Sequence, residues 1–85
     1  MPTGVETQTR RCLSHILGFP PNEIMSGDNL GQKYHMGPVD KRDLAQQINL
    51  CLFAAGVHLK TNIHPDETMA CKTIGEVLDV VNKHV

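Results

Sequence analysis

The chain has no tryptophan, one tyrosine (Tyr34) and two phenylalanines (Phe19 and Phe53) in 85 residues, so aliphatic side chains must supply its core. It has no long apolar run, which excludes a membrane-spanning helix. It has no basic stripe or aromatic ladder, which argues against nucleic-acid binding. Charge of either sign is scarce in excess: the net charge is −1, with acids and bases interspersed. The first residues, Met1-Pro2-Thr3-Gly4-Val5-Glu6, lack the charged-then-apolar layout of a secretory signal. Three cysteines, an odd number, cannot close a complete disulfide framework, and none belongs to a C-x-x-C pair. Their expected state is buried or idle thiols in a reducing compartment, the cytoplasm. Hydrophobic residues make up 40% of the chain, enough for a folded core and well above the disordered class. A chain this short hides only somewhat over ~60% of its unfolded surface, so residues 1–85 are expected to form one domain with a thin core.

Helical spacing dominates what is present. Val5, Cys12, Leu13, Ile16 and Leu17 form a stripe that predicts a first helix from about Val5 to Leu17, with Arg10 and Arg11 leaning outward. Gly18 and then Phe19-Pro20-Pro21 end it, because tandem prolines cannot continue a helix. A polar stretch from Asn22 to Gly37 follows, predicted as an ordered crossover loop pinned by Ile24, Leu30 and Tyr34. Pro38 suits the first position of a second helix, where its missing N–H costs nothing. Asp40 and Asp43 complement the positive end of that helix. Leu44, Ile48, Cys51, Leu52 and Ala55 share its inner face, and Gly56 closes it in the left-handed conformation. Pro65 opens a short third helix through Ala70. Thr73-Ile74-Gly75-Glu76 reads as a capping box opening a last helix to about Lys83, packed through Val77, Leu78, Val80 and Val81. Gly75 weakens that helix by up to ~1 kcal/mol relative to alanine. The expected fold is an all-α bundle of three longer helices and one short third helix, with a long loop between helices one and two.

Several segments occur in a familiar order: Leu17-Gly18, Glu23-Ile24, Asp28-Asn29-Leu30, Val39-Asp40, Asp43-Leu44, Ile63-His64-Pro65-Asp66 and Thr73 to Val81. Over roughly residues 8 to 84 the chain resembles the acyl carrier protein family, in which an Asp-Ser-Leu motif heads the central helix and its serine carries 4′-phosphopantetheine. Here that motif reads Gly37-Pro38-Val39. Proline has no hydroxyl and forms no phosphodiester, so the resemblance implies a carrier scaffold with no cofactor at Pro38. The family's acidic central helix is also altered. Asp40, Lys41, Arg42, Asp43, Gln46, Gln47 and Asn49, the positions expected to face solvent, are charge-balanced and amide-rich, which weakens long-range attraction to a basic partner. Arg42 and Gln46 stand where the family usually has aliphatic residues lining an acyl pocket. The implied function is a non-carrying protein-interaction or regulatory module of a biosynthetic or secretion-linked assembly. Its contact surface would comprise Gly37, Pro38, Val39, Lys41, Arg42 and Gln46, and the chain itself would be a monomer.

The alternative is a true acyl or peptidyl carrier modified at a non-standard serine, foremost Ser26, with Ser14 a weaker candidate inside the first helix. Cys12 and His15 are three residues apart and could share a helix face as nucleophile and base. Cys12 belongs to the apolar stripe, however, and no orienting group or oxyanion hole is evident, so an enzyme is not expected. Cys51 and Cys71 read as core or near-core residues. The histidines (His15, His35, His58, His64 and His84) match no zinc-ligand spacing, so no metal is expected and they read as scattered surface residues.

Overall fold

A computed structural model describes residues 4–85; Met1, Pro2 and Thr3, which carry half of the segment read for a secretory signal, lie outside the described residues. Five α-helices follow one another: α1 (Gly4–Leu17), α2 (Leu30–Lys33), α3 (Pro38–Ala54), α4 (Pro65–Met69) and α5 (Ile74–Lys83). A 3₁₀ turn at Pro21–Glu23 lies between α1 and α2. Among the described residues there is no strand, only an isolated antiparallel bridge between Asn29 and Thr73. None of these helices is long and apolar enough to cross a membrane.

The expected all-α class therefore holds, with one helix more than expected. The addition, α2, is a single turn capped by Asn29, whose Oδ1 accepts from the Gln32 N–H at 2.9 Å. One turn carries no apolar period, which is why it reads as loop in the sequence. Gly18 and Gly56 take positive φ (78° and 83°) as they end α1 and α3, the conformation glycine adopts without a Cβ clash. At α5, Thr73 Oγ1 accepts from the Glu76 N–H at 3.3 Å, and Glu76 accepts from the backbone of Thr73 at 3.1 Å and of Lys72.

Leu13, Ile24, Leu30, Leu44, Ile48, Leu52, Ile74, Val77 and Val81 are fully buried in one cluster, drawn from every element except α4 and the 3₁₀ turn. Burying each stabilises the fold by about 1.5–3 kcal/mol before entropic costs. The inner face of α3 differs in detail from the expected one. Ala45 is buried, Ala55 is exposed beyond the helix end, and Asn49 is half-buried rather than free. Asn49 clamps the segment before α4: its Nδ2 donates to the Ile63 carbonyl at 3.0 Å and its Oδ1 accepts from the Ile63 N–H at 2.9 Å.

Two other expectations are overturned. The cysteines are not all thiols: Cys12 of α1 and Cys51 of α3 form a disulfide, their Cα atoms 5.9 Å apart. The odd count excluded a framework using every cysteine, but not one bridge plus the free, buried Cys71. Arg10 does not lean into solvent. Its guanidinium donates to the Ile24 carbonyl at 2.6 Å and to Ser26 Oγ at 2.9 Å, fastening the start of the crossover segment to α1.

The rest of that segment is held as firmly. Asp28 Oδ2 accepts from the Met25 N–H (2.8 Å), Lys33 Nζ (2.8 Å) and Tyr34 Oη (2.9 Å). The Lys33 ammonium, then the backbone donor, hold the Asp28 carboxyl below its ordinary range. Tyr34 meets Phe19 edge-on at 4.9 Å. Three backbone bonds then tie the segment to the start of α5: Leu30 N–H to Lys72 O, Ile74 N–H to Asp28 O and Gly75 N–H to Ser26 O. The last explains Gly75, since a Cβ there would come within 3.1 Å of the Ser26 carbonyl oxygen.

Candidate functional site

The head of α3 is built by Gly37 and Pro38. Gly37 caps the helix in extended geometry, its N–H donating to Asp40 Oδ2 at 3.1 Å, and Pro38 takes the first helical position. Pro38 and Val39 are both exposed, so the place where the resemblance calls for a modified serine faces solvent and offers no hydroxyl. An open groove of about 230 Å³ flanks this head on the α1 side, lined by Ile16, Leu17, Tyr34, Met36, Asp40, Asp43 and Gln47. A smaller one of about 180 Å³ lies on the α4 side among Val39, Arg42, Asp43, Gln46 and Pro65.

Of the residues expected at the contact surface, Val39, Arg42 and Gln46 share one outward face, spaced three and four apart. Gly37 and Pro38 lie at its end. Lys41 is half-buried and belongs elsewhere; its charge acts on Cys71 and Glu76. Arg42 and Gln46, placed by the resemblance at an acyl pocket, border the shallow α4-side groove instead of a deep apolar cavity. Further along the same face stand two residues that sequence reasoning missed, Leu50 and Phe53, both exposed. Phe53 meets the His58 ring edge-on at 5.9 Å. The signal was present in their spacing from Gln46, four and seven residues, but only the inner stripe of Leu44, Ile48, Cys51, Leu52 and Ala55 was read along this helix.

Beside Leu50 and Phe53 the segment before α4 forms a second wall. Gln46, Asn49, Leu50, Asn62, Ile63, His64 and Pro65 line a groove of about 400 Å³ there. A second groove of about 240 Å³ lies next to it, sharing Asn49 and Asn62 and lined also by Phe53, Val57, His58 and Leu59.

The other candidates disperse. Ser26 is exposed but sits beside the start of α5, its hydroxyl engaged by Arg10 and its carbonyl by Gly75. Ser14 donates to the Phe19 carbonyl at 2.5 Å. Cys12 is buried in the disulfide while His15 is exposed, so they form no nucleophile–base pair. Burial, reinforced by Glu76, pushes the Cys71 thiol up to about 11, and its Sγ donates to the Glu67 carbonyl at 3.3 Å, so it packs as a small hydrophobe.

The histidines are not all idle. His64 caps α4, its Nδ1 accepting from the Asp66 N–H at 3.1 Å. His84 Nε2 lies 2.9 Å from both Glu67 carboxylate oxygens, and its Nδ1 lies 2.7 Å from Thr61 Oγ1. The Lys60 N–H donates to the His84 carbonyl at 2.6 Å. This hydroxyl–imidazole–carboxylate chain joins the end of α5 to α4 and the loop before it. Hydrogen bonding from His84, then from the His64 backbone, holds the Glu67 carboxyl below its ordinary range. Among the described residues no group of three or more His, Cys, Asp or Glu side chains could hold a metal ion. No family model, curated protein or solved structure matches the chain.

Proposed function

We propose that this chain is an acyl carrier protein-like domain that carries no phosphopantetheine and works as a protein-docking module through the outward face of α3. One observation carries the reading: Val39, Arg42, Gln46, Leu50 and Phe53 form an exposed stripe on the helix whose opposite face is fully committed to the core. A helix packed this firmly needs no backbone ordering on contact, which lowers the cost of docking. Exposed apolar residues interleaved with a cation and an amide suit a partner recognised by contact rather than by long-range charge. Pro38 at the head of the helix removes the hydroxyl that a carrier needs.

The cellular setting depends on the bridge. A cytoplasmic module would be kept reduced at Cys12 and Cys51, whereas the oxidised form belongs to an oxidising compartment.

Intact mass after incubation with coenzyme A and a broad-specificity phosphopantetheinyl transferase tests the carrier half of the proposal. The native chain is expected to stay unchanged, while Pro38→Ser gains the phosphopantetheine mass on the same scaffold. Modification of the native chain, at Ser26 or elsewhere, would restore the carrier function. Failure of Pro38→Ser, with a carrier control modified in the same tube, would remove the support for a carrier scaffold.

A further inference from the structure

The outward stripe of α3 is close to symmetric about Gln46. Val39 and Phe53 lie seven residues to either side, two helical turns each way, and Arg42 and Leu50 lie four residues to either side. Val39, Leu50 and Phe53 are 68%, 63% and 70% exposed, half of the large exposed apolar side chains among the described residues. We infer that this face also pairs with a second copy of the chain, α3 antiparallel to α3 about a two-fold axis at Gln46. The inference rests on the same docking surface proposed above and departs from the monomer expected from sequence.

Three features favour a second copy over an unrelated occupant. An isologous contact requires each residue to tolerate its symmetry mate, and the antiparallel arrangement sets Val39 against Phe53 and the Arg42 stem against Leu50. The residue on the axis meets itself, so a charge there would repel. Glutamine carries both a donor and an acceptor, and two copies can satisfy each other. Arg42 and Asp43 cancel, so the face brings no net charge to the contact. The stripe is about 21 Å long. A single helix pair of that length buries less than the ~800 Å² per partner of a standard interface. The dimer is therefore a species of high protein concentration, readily displaced by a better-fitting partner.

Sedimentation equilibrium of the oxidised chain between about 10 μM and about 1 mM tests this. The expected result is reversible monomer–dimer exchange, weakened roughly 30-fold by Phe53→Ser, which removes an aromatic anchor. Gln46→Glu and Gln46→Lys are each expected to weaken association by at least about tenfold, and an equimolar mixture of the two to restore it, because opposite charges then meet on the axis. These side chains are exposed, and unchanged circular dichroism would verify the fold of each variant.

A native chain that stays monomeric throughout would overturn the inference. So would association that ignores both Gln46 variants, or a mixture that fails to recover. None of these results bears on whether the chain carries phosphopantetheine, which the mass experiment decides separately.

Discussion

Loss of the Cys12–Cys51 bridge is expected to lower the melting temperature by about 20 °C, a magnitude that follows from chain entropy. The two cysteines are 39 residues apart in sequence. Closing a loop of that length removes about 13 cal/mol/K from the unfolded ensemble, which stabilises the fold by about 4 kcal/mol at 25 °C. A domain of this size has roughly 4–13 kcal/mol of total stability, so the bridge supplies a large share. Unfolding entropy is about 0.18 kcal/mol/K for a chain of this length, and the ratio gives the shift. The assay is a thermal melt followed by circular dichroism, comparing oxidised chain, reduced chain and the Cys12→Ala/Cys51→Ala double variant. Thiol counting establishes the starting state. No thiol should react in the native oxidised chain, where Cys71 is buried; one should react after denaturation and three after reduction. A shift under about 5 °C on reduction would refute the reasoning, because the unfolded chain would then already hold the two helices together.

Three further outcomes are expected. Asn49→Ala should cost about 2 kcal/mol in urea unfolding, because it strips both backbone partners from the buried Ile63; an unchanged midpoint would deny the clamp. Gly75→Ala should fail to yield the usual helix gain of about 1 kcal/mol, and should lower the melting temperature, since the Ser26 carbonyl is fixed beside it by the Gly75 N–H. Acid should destabilise the fold. Asp28, Glu67 and Glu76 are all held below their ordinary values of 3.8, 4.5 and 4.5, so each contributes stability that is present above those values and lost as pH falls through the depressed ones. A urea midpoint that declines below about pH 4.5, less steeply in Glu67→Gln and in high salt, would bear this out; a flat profile would count against it.

The helices were legible in the sequence because their ends carry specific chemistry. Gly18 and Gly56, Pro38 and Pro65, and the Thr73–Glu76 pair each mark a boundary that the structure reproduces within a residue or two. Interactions between distant segments were not legible. Nothing in the pattern around Arg10 shows that it reaches Ile24 and Ser26, because a guanidinium on a polar helix face reads as solvated until the next segment is placed. The pairing of Cys12 with Cys51 depends on α1 and α3 lying side by side, which spacing alone does not reveal. For the candidate surface, Val39, Arg42 and Gln46 were visible as exposed positions. Lys41 turned away because helical geometry separates it from its neighbour by about 100°. Leu50 and Phe53 went unread because the inner stripe accounts for the helix without them, and only their exposure reveals a second stripe.

The way the crossover segment is fastened bears directly on what α3 can do. A tethered cargo must move between solvent and the bundle, so a carrier benefits from a segment that can open beside its central helix. Here residues 18–37 are closed off from several directions. The bridge holds α1 to α3, Arg10 holds Ile24 and Ser26, and Asp28 gathers Met25, Lys33 and Tyr34. Three backbone bonds then fix the same segment to the start of α5. Each bond contributes only about 1 kcal/mol; the Arg10 bonds and the three backbone bonds must break for the segment to lift from the bundle, while those to Asp28 keep its internal shape. Such a frame resists opening, and the bridge fixes α3 against α1. Rigidity of this kind suits a docking surface, where pre-organisation lowers the cost of binding, better than it suits a cargo-bearing site that must open.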